Sequence, residues 1–84
     1  MINVLEGRDF ATAGEFVTEL NKARLANQRA WLGYSGSVDG RKVVIKTYDC
    51  GHLQIFRVDG IEQGAPVDMK PTAWKQFILK AFER

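Results

Sequence analysis

Asp49-Cys50-Gly51-His52 holds the chain's only cysteine and only histidine, side by side in and beside one tight turn. Residues of these types, so placed, could form a thiol nucleophile with its base, or two ligands of a metal site. Nucleophilic catalysis also needs a third, orienting group and an oxyanion hole, and the sequence offers neither. Tetrahedral zinc requires four ligands, or three and a water; Asp49, Cys50 and His52 are too few and too cramped. A turn cysteine beside a strand-end imidazole stacked near Tyr48 is the simpler reading. No G-x-x-x-x-G-K-[ST] or G-x-G-x-x-G run opens a helix, and the acidic residues are scattered singly. The expectation is a protein that is not an enzyme, with no cofactor and no metal.

A second constellation is richer. Trp31, Lys42, Lys46, Tyr48, His52 and Phe56 mix aromatic and cationic groups within one stretch. Aromatic platforms beside cations suit base stacking and phosphate contact. Aromatic anchors among small neighbours suit protein recognition equally well. Whether the six side chains can act together depends on strand register.

Residues 30–60 read as two consecutive β-hairpins. Asp39-Gly40 is a two-residue link between extended apolar-bearing runs, the strongest short-range hairpin signal. Asp49-Cys50-Gly51 supplies the second turn, with Gly51 free to take the positive φ of a three-residue loop. The first turn sets Val38 opposite Arg41, Gly36 opposite Val43, Tyr34 opposite Ile45 and Leu32 opposite Thr47. Pairing Tyr48 with His52 adds Leu53 and Ile55 to the face of Leu32, Tyr34, Val43 and Ile45, which is the expected core face. The opposite face then carries Trp31, Gly33, Ser35, Ser37, Lys42, Val44, Lys46, Tyr48, His52, Gln54, Phe56 and Val58. A slip of one residue would exchange the two lists.

The flanks supply the cover. Residues 2–5 form a short apolar run, read as an edge strand, and Gly7-Arg8-Asp9 as a turn. Thr12-Ala13-Gly14-Glu15 matches a capping box, and Ala13, Phe16, Val17, Leu20 and Ala23 make one stripe of a helix from residue 13 to about 28. Arg24 and Arg29 suit the negative end of that helix. Leu25 falls opposite the stripe, placed to touch a partner or to cover the N-terminal segment. Asp59-Gly60 marks another turn with a brief return strand at Ile61-Glu62, after which Gly64 and Pro66 break regular structure. Asp68 caps a last helix with Pro71 in its first turn and a stripe of Trp74, Phe77, Ile78, Ala81 and Phe82. The fold class is α+β: one domain, residues 1–84, an antiparallel meander of three to four strands packed by two helices, in the order β(short)-α-β-β-β-α. Both helices on the Leu32 face, leaving the other open, is the favoured arrangement; one helix on each face is the alternative.

At 84 residues the core is close to the smallest that stands alone, so nearly every large apolar side chain is needed inside or at a contact. The net charge of +2 does not announce nucleic-acid binding by itself. A lone cysteine excludes an internal disulfide framework and fits a reducing compartment. No stretch approaches membrane-spanning length, and the first ten residues lack a basic region followed by a long apolar one. A cytoplasmic protein is expected, with no membrane partner.

The order helix–three strands–helix resembles that of double-stranded-RNA-binding domains. The last helix departs from that family: Lys70-Pro71-Thr72-Ala73-Trp74-Lys75 has separated lysines where the family has a lysine-rich start, so no binding residue carries over. A tiny chain with a full core and no catalytic motif is also similar in general build to phage- or mobile-element-encoded accessory proteins. That likeness implies stoichiometric action, blocking a host enzyme or a defence complex such as a CRISPR effector, as an anti-CRISPR protein does. The expectation is a small binding protein, an inhibitor or adaptor, that recognises a protein partner through Trp31, Lys42, Lys46, Tyr48, His52 and Phe56. Nucleic-acid binding through the same face is the alternative. A homodimer through this face or an edge strand is a third possibility, so the chain is expected as a monomer or homodimer.

Overall fold

Asp39 and Gly40 take positive φ values of 53° and 74°, and Asp59 and Gly60 values of 54° and 80°. Positive φ at both central positions makes a two-residue link follow the strands' own twist, so each Asp-Gly pair closes a tight hairpin. The computed structural model describes residues 2–5 and 7–83. Its elements are β1 (Ile2–Asn3), α1 (Ala13–Ala26), β2 (Trp31–Val38), β3 (Arg41–Tyr48), β4 (Leu53–Val58), β5 (Ile61–Glu62) and α2 (Pro71–Lys80). The strands form one sheet in chain order, antiparallel throughout except for β1, which runs parallel to β2. A parallel neighbour needs a crossover, and α1 is that crossover.

The β2–β3 register is the one the first turn dictates, with Val38 opposite Arg41 and Trp31 opposite Tyr48. The second turn also closes as expected: Tyr48 N–H donates to the His52 carbonyl at 2.9 Å, and Gly51 has φ 92°. The β3–β4 ladder then shifts. Thr47 faces Leu53 but Lys46 faces Ile55, so Gln54 is the extra residue of a β-bulge. The bulge turns Phe56 and Val58 inward and Ile55 and Arg57 outward. Phe56, expected on the open face as a binding residue, is fully buried, as is Val58, whereas Ile55 is only half-buried. Burying a phenylalanine and a valine removes more apolar area from water than burying one isoleucine, and that difference favours the bulge.

Both helices lie on the inward face. Phe16, Val17 and Leu20 of α1 and Trp74 and Ile78 of α2 share one core with Tyr34, Val43, Ile45, Leu53 and Phe56. The molecule measures 30 × 28 × 19 Å, the short dimension being one helix layer on one sheet. Thr12 caps α1 by accepting from Glu15 N–H at 3.2 Å. The helix stops at Ala26, short of residue 28: the Asn27 backbone leaves helical geometry at φ −124° and ψ 53°, and its backbone and side-chain amides both donate to the Ala23 carbonyl. Pro71 opens α2, but the expected Asp68 cap is absent; Lys70 holds the cap position, and Asp68 instead accepts from Lys70 N–H. Beyond Lys80 the chain tightens into bonds spanning three residues, which still buries Phe82. Leu25 is 61 % exposed, on the side of α1 away from the core. Among the described residues no helix is long and apolar enough to cross a membrane.

Candidate binding face

Alternation along β2 and β3, with the bulge in β4, decides which side chains reach the face that no helix covers. They fall into cross-strand rows. Trp31, Tyr48 and His52 form one row at the turn end of the sheet. Gly33, Lys46 and Ile55 form the next, with Asn3 of β1 beside Gly33. Ser35, Val44 and Arg57 follow, and Ser37 and Lys42 close the series. Five of the six residues expected to act together share this face; Phe56 alone is lost from it.

The first row is a packed cluster. Trp31 lies 5.1 Å from Tyr48 and 5.5 Å from His52 between ring centroids, both edge-on. Lys46 reaches diagonally so that its Nζ stands over the Trp31 ring, 5.4 Å from its centroid. An edge-on aromatic pair contributes about 0.5–1.5 kcal/mol beyond its buried area, and a cation on an exposed ring about 0.5–1 kcal/mol. Trp31 is thereby held in one orientation while remaining only half-buried. Such a pre-set, partly exposed aromatic loses little side-chain entropy when a partner covers it.

Beside the cluster the sheet has a recess of about 350 Å³, whose walls include Asn3, Gly33, Ser35, Val44, Lys46 and Ile55. Glycine and serine leave the floor low on β2, while valine and isoleucine give it apolar sides. Lys46 separates recess from cluster. On the far side Arg57 pairs with Glu62 at 3.3 Å. Lys42 and Lys46 have no carboxylate partner among the described residues.

The turn that carries Cys50 is anchored from beneath. Arg24 is buried, donates to the Asp49 carbonyl and to Asn21 Oδ1, and lies with its guanidinium 4.1 Å from the Trp74 ring centroid. Burial holds its pKa below the ordinary arginine value, with the charges of Asp49 and Cys50 pulling the other way. The Asp49 carboxylate accepts from Arg29 N–H at 2.9 Å. A Cβ on Gly51 would come within 3.0 Å of Trp74. His52 is spent on Trp31 and Cys50 is exposed; among the described residues no three His, Cys, Asp or Glu side chains are grouped to hold a metal ion. Arg24 was expected at the helix end as a dipole partner. Its spacing of four from Leu20 puts it on the buried stripe, which was the available signal.

No protein-family model matches the chain, and no curated protein or solved structure is significantly similar to it.

Proposed function

We propose that this protein is a non-catalytic binding module that docks another protein on its open sheet face and acts as an inhibitor or adaptor. The observation that carries this reading is Trp31, clamped by Tyr48, His52 and Lys46 beside an apolar recess on the side without helices. Aromatic anchors set beside a pocket are the usual centre of protein-recognition surfaces. A docking surface built around one fixed aromatic fits stoichiometric blocking, in the manner of phage-encoded accessory proteins. The exposed free thiol of Cys50 fits a reducing compartment, and we place the protein in the cytoplasm.

The test is capture from a lysate of the source organism, with and without nuclease. Wild type is compared with the double variant Trp31→Ala, Lys46→Ala and with the helix-side control Leu25→Ala. A nuclease-resistant protein retained by wild type and the control but lost by the double variant supports the proposal. Nuclease-sensitive capture moves the function to nucleic-acid binding. Capture indifferent to the double variant removes the face from consideration.

A further inference from the structure

Resting on that reading of the face, we propose that the partner presents an acidic segment bearing one apolar anchor. The anchor enters the recess at Gly33, Ser35, Val44 and Ile55, and the flanking carboxylates meet Lys46 and Lys42. Charge complementarity selects this chemistry. Among the described residues the face carries three side-chain cations, Lys42, Lys46 and Arg57, against the carboxylate of Glu62, which Arg57 already engages, while Asp9 and Asp59 at its far end accept from the Ser37 and Lys42 backbone N–H groups. The two lysines are left to attract an anion.

A second copy of this chain is a poor occupant, because two such faces would oppose like charges, each costing affinity. A nucleic acid fits less well for two reasons. Two unpaired lysines are few against the roughly 6–10 phosphate contacts of a typical electrostatic binder. Trp31 is also already met by Lys46 over its ring and by Tyr48 and His52 against it, which reduces the platform left for a base. The apolar recess, in contrast, has the size for a leucine-like or aromatic side chain. Lys46 occupies the boundary, so one residue serves both halves of the recognition: its stem walls the recess and its ammonium meets the carboxylate.

The experiment is selection of randomised linear peptides, displayed on a carrier, against the purified protein, followed by affinity measurement with the enriched peptides. Enrichment of Asp and Glu around an apolar residue is expected. Affinity should fall about tenfold or more in Ser35→Trp, which fills the recess, and in Trp31→Ala. It should fall about threefold in Lys46→Gln and show a matching loss with added salt. Ser35 is exposed, so the thermal melt of Ser35→Trp is expected to match wild type, and a cooperative melt of Trp31→Ala, lowered by several degrees, excludes misfolding there. Peptides without acidic enrichment that still need Trp31 would overturn the acidic partner and leave the face as the docking surface. Peptides indifferent to both Ser35→Trp and Trp31→Ala, failure to enrich any peptide, or displacement of the peptides by single-stranded nucleic acid would overturn the proposal, the first also removing the face.

Discussion

Lys46 Nζ stands 5.4 Å from the centroid of Trp31, a residue on the neighbouring strand and one row away. The contact joins a cation to an aromatic ring on the one side of the sheet that carries no helix. Trp31→Ala should therefore separate binding from stability. Its half-buried ring contributes edge contacts with Tyr48 and His52, so stability should fall by only about 1–2 kcal/mol. Binding should fall by more than tenfold. Urea denaturation and affinity measurements on the same protein would show both.

The bulge at Gln54 predicts an asymmetry between adjacent residues. Phe56 is fully buried, 6.2 Å from Phe77 between ring centroids, and Phe56→Ala should cost about 3–5 kcal/mol. Ile55 faces outward, and Ile55→Lys should cost about 1 kcal/mol or less. An uninterrupted register would give the reverse order in urea midpoints.

Much of this fold could be read from local signals. Asp39-Gly40 fixed eight residue pairs of β2 and β3, because a two-residue link leaves no freedom in register. Thr12 announced α1, and the parallel edge at Ile2 and the return strand at Ile61 lay where short apolar runs met turns. The β4 bulge was not legible in the same way. Leu53-Gln54-Ile55-Phe56 supports either alternation, and only competition between Ile55 and Phe56 for the helix-packed face decides. For the same reason five of the six candidate residues lie on the face expected of them and Phe56 does not. Arg24 was missed because a cation near a helix end has a ready local explanation, whereas its partners Asp49 and Trp74 are far away in sequence.

Arg24 links α1, α2 and the β3–β4 turn, which predicts a graded series. Arg24→Met keeps a side chain over Trp74 but leaves the Asp49 carbonyl unpaired, a loss of about 1–3 kcal/mol. Arg24→Ala also removes the packing and should cost more. Gly51→Ala should destabilise by more than about 1 kcal/mol, since φ is 92° and the new methyl meets Trp74. Equal midpoints for Arg24→Met and Arg24→Ala would show that the stacking contributes nothing.

Tyr34 predicts a pH dependence. Its hydroxyl donates to the Arg8 carbonyl at 2.7 Å, and burial raises its pKa, with Asp9 adding to the rise and Arg8 opposing it. A phenol whose folded value exceeds its unfolded value of about 10 stabilises the fold fully below that pH. The contribution is lost as pH rises through the folded value. Tyr34→Phe should lower stability by about 1 kcal/mol at neutral pH and flatten the decline above pH 10. Urea midpoints of both proteins across that range would reveal it.

Hydroxyl-radical footprinting of the protein bound to its captured partner would locate the docking surface without any substitution. The account predicts protection of Trp31, Tyr48 and His52, with Leu25 on α1 and Leu79 on α2 as reactive as in the free protein. Protection of Leu25 and Leu79 with Trp31 unchanged would contradict it and assign binding to the helix side.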